Sequence, residues 1–324
     1  MIRKFENGND YVRPLEGNII LRREGIIKAV TKENVKINVA GILYEKFENE
    51  EYQYVFTPYW DIIDGCTSDE FFGIPGIDLD LRLDQYYRVN YEPVFITERT
   101  PSASREDLWE LLETVGMDYY DRFEWLLRTD MRAANDNLIV EPKREESLYV
   151  GLGKNKEALP AVDFFYGEKD REGNVYSALL EQVQYGDTVI VEDLEQLETN
   201  EQKFSCLLRN LLCKGVDVLD VSSRIKYGKT ERTALLTLLN LQRRKYEKQR
   251  KQNRMKSIAR AKAEGKYRGR KKIEVDETYF SDIYRCMKQG EMTQKEAMER
   301  LHLTSRSTFY RRMKEYERRL KPLA

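Results

Sequence analysis

The chain has 324 residues, and its 55 lysines and arginines nearly balance 56 acidic residues, which leaves a net charge of −1. Its apolar share is ordinary for a globular protein, which excludes wholesale disorder, and its length allows two or three domains. The sequence carries no membrane-spanning apolar run and no signal-peptide pattern, so it predicts a cytoplasmic protein with no membrane partner. With no C-x-x-C pair and with His302 as the single histidine, it also predicts no metal centre and no cofactor.

Charge is divided unevenly along the chain. Residues 1–145 carry about ten more acidic than basic residues, and the remainder carries a similar basic excess. A split of this kind predicts nucleic acid as the partner of the basic part and a different partner, such as a protein, for the acidic part.

Residues 1–145 are predicted to form an N-terminal α+β domain, whose role the sequence does not indicate. Apolar or alternating runs predict strands within 17–30, 35–39 and 52–59, and a strand pair within 86–96 with Pro93 at an edge or bulge. A capping-box variant that begins at Ser104 predicts one helix, and residues 118–128 predict a second. Residues 129–146 have the polar composition of a linker, although 138–140 could form a strand.

Residues 146–240 alternate between strand and helix patterns. Strands are predicted at 148–153, 161–165, 188–191 and 216–221, with helices at 176–184 and 201–214. This alternation is typical of a mostly parallel α/β sheet.

A long helix is predicted over residues 232–260. Its first part is apolar enough to bury against a partner, through Ala234, Leu235, Leu238, Leu239 and Leu241. Residues 241–272 contain about fifteen lysines and arginines and few acidic residues, which is the charge pattern of a phosphate binder.

Beyond Gly265 the same segment predicts a thin basic arm that can enter the minor groove of DNA. The arm residues are Arg268, Gly269, Arg270, Lys271 and Lys272. Composition alone leaves open a solvated charged helix followed by a flexible linker.

Residues 273–324 predict a helix-turn-helix domain. Thr293 and Glu296 form a capping box, a turn follows through 302–304, and a second helix begins near 305. Phe309 and Met313 would pack inward. The residues expected to contact DNA are Arg306, Ser307, Thr308, Tyr310, Arg311 and Arg312. A three-helix bundle without a ligand is the alternative.

Together these segments resemble the serine recombinases of the resolvase/invertase family, over about residues 147–320. Residues 258–271 (IARAKAEGKYRGRK) resemble the family's junction between the dimerisation helix and the DNA arm. Residues 186–191 are similar to its central strand, and 304–311 to its helix-turn-helix. The resemblance implies a resolvase-like α/β domain, a homodimer formed through the long helix, and double-stranded DNA as the ligand.

The catalytic motifs of the family are degenerate in this chain. Its Tyr-x-Arg-x-Ser motif corresponds to 149–153, so that Gly151 replaces an arginine and Gly153 replaces the nucleophilic serine. Its Leu-Asp-Arg-Leu-x-Arg motif corresponds to 194–199. The remaining replaced positions are Glu195, Gln196, Thr199, Gly173 and Asn253.

Without these groups the family's chemistry has no support, because a serine must attack the phosphodiester and arginines must stabilise the developing charge. We therefore expect a sequence-specific DNA-binding protein on a catalytically inactive serine-recombinase scaffold. The resemblance implies that it acts as a regulator or accessory factor of a mobile element or phage. Two alternatives are an active recombinase with a relocated nucleophile and a regulator that heterodimerises with an active recombinase.

Overall fold

The computed structural model describes residues 10–11, 14–167, 175–198, 200–264 and 276–320. The chain divides into two compact units, Met1–Lys248 and Gln249–Ala324. None of the described helices is long and apolar enough to cross a membrane. The predicted domain boundaries at 145/146, 240/241 and 272/273 stay predictions.

The N-terminal part of the first unit is built on an antiparallel sheet of six strands in the order β1-β5-β4-β3-β2-β6. Short connections let successive strands pair side by side, as antiparallel strands can. The two apolar runs within 17–30 join into a single long strand. The strands are β1 (Asp10–Tyr11), β2 (Ile19–Val30), β3 (Lys36–Phe47), β4 (Tyr52–Pro58), β5 (Tyr86–Val89) and β6 (Leu138–Pro142).

Short helices cover this sheet. They are α1 (Trp60–Ile63), α2 (Val94–Thr97), α3 (Leu108–Thr114) and α4 (Arg122–Arg128). The prediction of a second strand within 86–96 was wrong, because α2 occupies its place. Pro93 stands at the N-cap of α2, where its missing N–H costs nothing, whereas in a strand it would interrupt the ladder of hydrogen bonds.

The second sheet has the order β11-β10-β9-β7-β8. β7 pairs in parallel with β8 and β9, β9 pairs in parallel with β10, and β11 is antiparallel at the edge. Its strands are β7 (Tyr149–Leu152), β8 (Phe164–Tyr166), β9 (Thr188–Val191), β10 (Asp217–Asp220) and β11 (Ile225–Tyr227). The accompanying helices are α5 (Val175–Gln182), α6 (Leu194–Leu197) and α7 (Glu201–Cys213).

A single long helix, α8 (Lys229–Ala263), begins in the first unit and ends in the second. Its 35 residues contain no proline and no glycine, which permits an unbroken helix of about 50 Å at 1.5 Å per residue.

The second unit continues with α9 (Glu277–Lys288), α10 (Gln294–Arg300) and α11 (Arg306–Leu320). Its small core contains Phe280, Ile283, Ala297, Leu301 and Phe309. The capping box of Thr293 and Glu296 is formed at the start of α10.

One hydrophobic core joins the N-terminal sheet to the helices of the α/β part. Leu212 and Cys213 of α7 and Leu236 of α8 belong to the same buried cluster as Ile26 and Phe56. The approach is close at Gly65, because a Cβ added there would lie 2.6 Å from Cβ of Leu236. The sheet and the α/β part therefore bury apolar surface that each would otherwise expose to water.

A buried arginine of α8 crosses the same interface. The guanidinium of Arg232 donates to the Asp61 carboxylate, to Asp217 Oδ1 at 2.7 Å and to the Gly215 carbonyl at 3.0 Å. The ring of Tyr185 stacks on that of Tyr59, with centroids 3.7 Å apart and planes within 9°.

Candidate functional site

Gly153, which the resemblance places in a catalytic pocket, lies at the carboxyl edge of the parallel sheet. β7, β9 and β10 all end at this edge, where parallel sheets commonly bind ligands. Gly153 follows β7, Glu192 and Asp193 follow β9, and Ser222 and Ser223 follow β10.

Gly153, at the expected position of the nucleophile, lies beside a carboxylate. A Cβ added there would lie 3.5 Å from Cβ of Glu192 and 3.7 Å from its Oε2. These are ordinary contacts, so a small side chain fits at this position. A phosphate brought to it would nevertheless meet a negative charge in place of a cation.

Gly151, at the expected position of the first arginine, faces a space that is already filled. A Cβ added there would lie 2.9 Å from Leu159 Cδ1, 3.0 Å from Phe165 Cδ2 and 3.3 Å from Val162 Cγ1. Because β7 is hydrogen-bonded to strands on both sides, its backbone cannot easily move away from these contacts. An arginine at this position would require the apolar cluster to repack.

The segment after β9 adds further acidic groups. Helix α6 is capped by Asp193, whose carboxylate accepts the backbone N–H of Glu195. Leu194 and Leu197 are buried and anchor the helix, while Glu195 is exposed.

Arg224, which follows Ser223, is an exposed arginine at this edge, but none of the positions at which the family motifs carry arginine does so here. The side chains of Gln196 and Thr199, together with Gly173, lie outside the described residues. Arg171 is the only arginine between residues 145 and 208 of the sequence, and it too lies outside them.

The two serines nearest this edge donate to a carboxylate. Ser222 Oγ donates to Asp220 Oδ1 at 2.9 Å, and Ser223 Oγ donates to Asp220 Oδ2 at 2.8 Å. Although burial opposes the shift, these hydrogen bonds lower the pKa of Asp220. A carboxyl with a lowered pKa is a weak general base. These hydrogen bonds therefore stabilise the turn after β10 and do not make either serine hydroxyl a nucleophile.

Helix α11 presents a polar face that carries several of the residues predicted to contact DNA. Arg306, Ser307, Tyr310 and Arg311 are exposed, and Thr308 is half-buried. On the opposite face, Phe309 is only 1% exposed, and Met313 packs against the core of the unit. Because the apolar residues of α11 pack against the core, the polar residues of its first turns remain accessible to a ligand.

Two of the predicted contact residues also make contacts within the unit. The Tyr310 hydroxyl donates to Gln294 Oε1 at 3.0 Å. Arg312 is half-buried and lies 3.4 Å from the Glu315 carboxylate, so its charge is less available than that of Arg306 or Arg311.

The second half of α8 exposes a dense set of cations. They are Arg244, Lys245, Lys248, Arg250, Lys251, Arg254, Lys256 and Arg260. Asn253 is exposed among them. The predicted arm, with Arg268, Gly269, Arg270, Lys271 and Lys272, lies outside the described residues.

The described residues hold no group of three or more His, Cys, Asp or Glu side chains arranged for a metal ion. Cys213 is buried, whereas Cys206 is exposed, so the two cysteines do not share one buried face.

Comparison with known proteins identifies one part of the chain. Residues 152–267 match the family model described as the N-terminal domain of resolvase, a range that runs from the end of β7 beyond the end of α8. Over this range the chain is similar to the resolvase N-terminal domain, and its described residues form an α/β sheet followed by a long helix. The match thereby connects this part of the chain with DNA recombination. No curated protein matches the chain.

The residues beside Gly151 and Gly153 were not predicted. Leu159 and Val162 come from the irregular segment between β7 and β8, and their positions depend on tertiary packing. Glu192 did leave a signal, because it follows the apolar strand 188–191 directly and so had to lie at the strand's carboxyl end.

Proposed function

We propose that this protein is a sequence-specific double-stranded DNA-binding protein on a catalytically inactive serine-recombinase scaffold, and that it regulates or assists a mobile element or phage. The observation that carries the proposal is the environment of Gly153. No hydroxyl is available there, and the neighbouring charge is the Glu192 carboxylate.

Phosphoryl transfer at this edge would lack its two essential contributions. Attack by a serine forms a covalent link to DNA, and the transition state places negative charge on the phosphoryl oxygens. Glu192, Asp193 and Glu195 follow the central strand, and their charges would oppose that transition state. Leu159, Val162 and Phe165 occupy the space that the first arginine of the family motif would need.

DNA binding rests on the second unit and on α8. In this proposal the exposed first turns of α11 enter the major groove through Arg306, Ser307, Tyr310 and Arg311. The basic half of α8 and the arm then contact phosphates and the adjacent minor groove.

A homodimer would form along one face of α8. Ala234, Leu238 and Leu241 form an exposed stripe at helical spacing, and Leu238 is 62% exposed. Leu235 and Leu239, on the neighbouring face, pack against the core shared with the N-terminal sheet. The stripe therefore leaves one apolar face for a second copy, and the acidic N-terminal part is left for a protein partner.

A footprint on DNA from the protein's genetic neighbourhood tests this function, combined with an assay on supercoiled plasmid. The expected result is a protected site with no nicking, no rejoining and no covalent protein–DNA adduct. Arg306→Ala and Arg311→Ala should weaken binding, whereas Arg285→Ala, an exposed arginine on α9, serves as the control. Covalent adduct formation by the purified protein would establish the active-recombinase alternative, and mapping the adduct would name its serine.

The arm has its own test within this proposal. Arg268→Ala with Arg270→Ala should weaken binding to every sequence and flatten its dependence on salt. Unchanged affinity would remove the arm from the interface. If the protein binds no DNA alone but co-purifies with an active recombinase, the heterodimer alternative replaces ours.

A further inference from the structure

A cleft in the first unit lies between the N-terminal sheet and the helices of the α/β part. Its volume is about 430 Å³, which falls in the range of small-molecule sites. Asn34, Lys36 and Glu141 line it from the sheet side, and Ser177, Asn210 and Lys214 line it from α5, α7 and the residue that follows α7. This location is distinct from the carboxyl edge of the parallel sheet.

Lys214 is the unusual member of this lining. It is only 6% exposed, and its carbonyl accepts the Asn38 side-chain N–H at 2.7 Å, which holds its backbone in place. Within the described ranges its ammonium group forms no hydrogen bond and no ion pair. Lys214 lines the cleft without an ion pair, so an anion bound there would stabilise its charged form.

Three other buried cations of this unit are matched by carboxylates. Arg209 pairs with Glu70, Arg232 pairs with Asp61, and Lys28 pairs with Glu141. The absence of such a partner at Lys214 is therefore not a general feature of this interface.

The one carboxylate that faces Lys214 from the sheet is already engaged. Glu141 accepts from Lys28 and, at 2.6 Å, from Lys36. Although burial opposes the shift, these hydrogen bonds lower the pKa of Glu141 to about 2. Burial, reinforced by the charge of Lys28, lowers the pKa of Lys214 to about 8. Glu181 of α5, the other acidic residue of the lining, is exposed to solvent. Two lysines and two glutamates line the cleft, and because Glu141 pairs with Lys28 and Lys36, Lys214 is the lining lysine for which the described residues supply no ion pair.

The geometry points to a binding site for a phosphorylated small molecule in this cleft, with the phosphate between Lys214 and Lys36. Lysine ammonium groups bind phosphate as compact point charges. Ser177, Asn34 and Asn210 supply hydroxyl and amide groups for the rest of the ligand, and Val35 and Leu180 add apolar surface. The cleft is much larger than a bare phosphate, so the ligand carries an organic part. The lining residues come from the N-terminal sheet and from the helices of the α/β part, so such a ligand would contact both parts and stabilise their packing.

Trace acetylation of the full-length protein at pH 8, read by mass spectrometry, tests the site residue by residue. Inorganic phosphate and adenosine monophosphate are the probes, and sodium chloride at matched ionic strength is the reference. We expect either probe to slow acetylation of Lys214 by about fivefold or more at saturation, because a bound ligand both shields the amine and keeps it protonated. Lys32 is an exposed lysine in the connection between β2 and β3. It should react at an unchanged rate and is the matched control.

A variant gives the second measurement. Phosphate should raise the thermal unfolding midpoint of the wild-type protein. The shift should be smaller in Lys214→Met, which lacks the proposed phosphate ligand. It should be unchanged in Lys32→Met. Equal protection of Lys214 and Lys32 would overturn the site, as would protection by chloride alone. Equal protection by malonate would overturn the preference for phosphate. Should Lys214→Met fail to fold, the acetylation experiment on the wild type still decides the question.

Discussion

Arg232→Met should strongly destabilise the first unit. Arg232 is 1% exposed, and its partner Asp61 is 8% exposed. Methionine keeps much of the apolar volume of the arginine side chain. It removes the guanidinium, so that among the described residues the Tyr185 hydroxyl, 3.4 Å away, is left as the side-chain donor to the Asp61 carboxylate. Breaking a buried pair from one side costs about 3–5 kcal/mol. At about 1.4 kcal/mol per tenfold, the folded-to-unfolded ratio should fall by a factor of roughly a hundred to a few thousand.

Urea unfolding followed by tryptophan fluorescence measures this loss. Trp60, Trp109 and Trp125 all lie in the N-terminal part, and Trp60 is adjacent to Asp61. Helical circular dichroism follows α7 and α8 independently. Because the N-terminal sheet shares a core with these helices, we expect both signals from the first unit to shift together in the variant.

Two controls separate the buried charge from other effects. Arg22→Met removes a cation whose side chain is 57% exposed and paired with Glu24, so it should cost less than about 1 kcal/mol. Asp61→Asn combined with Arg232→Met removes the stranded charge and should recover part of the loss. A loss below about 1 kcal/mol for Arg232→Met, or a double variant no better than the single one, would refute the reasoning.

Three further predictions follow from other contacts. Gly65→Val should cost about 1–3 kcal/mol in thermal unfolding, because its Cβ would lie 2.6 Å from that of Leu236, whereas Gly153→Ala meets only ordinary contacts and should be nearly neutral. Thr293→Ala removes the capping box of α10 and should cost about 1 kcal/mol in the second unit; an equal loss from Thr304→Ala, outside the box, would contradict this assignment. Lys214 has a folded-state pKa of about 8, below its ordinary 10.5, so the unfolded chain binds the extra proton between these values. The free energy of unfolding of the wild type should therefore rise relative to that of Lys214→Met between pH 8 and pH 10. If urea unfolding shows the same difference between the two proteins at both pH values, the lowered pKa of Lys214 is wrong.

Four strands of the α/β part could be predicted from short, mostly apolar runs, whereas β11 and α6, of three and four residues, were not predicted. The run at 188–191 holds one threonine and three apolar residues and is wholly buried, as a central strand requires. In the N-terminal part, alternation located the strands, but residues 94–97 are apolar and short, and such runs do not distinguish a strand from a helix. Pro93 decided the outcome there by favouring a helix start.

The candidate site was predictable only as a set of missing groups. The sequence places Gly151 and Gly153 on the first strand of the α/β sheet, but it does not indicate what lies beside them. Leu159 reaches its position beside Gly151 through a segment whose path depends on packing, whereas Glu192 is placed by the end of β9.

The partners of α8 raise the same difficulty. Its leucines predicted burial against a partner, but periodicity cannot tell which one. In the structure Leu236 packs within the chain's own shared core, while Leu238 stays exposed.

The shared core also determines how the chain would respond to being cut. Residues 145–147, between the two sheets, are exposed and accessible to a protease. A single break there would not free the halves, because Leu236, Arg232 and the Tyr59–Tyr185 stack would still hold them together. The nicked protein should migrate as one species in native electrophoresis until denaturant is added. Either half expressed alone should be insoluble, because it would expose the apolar surface of the shared core.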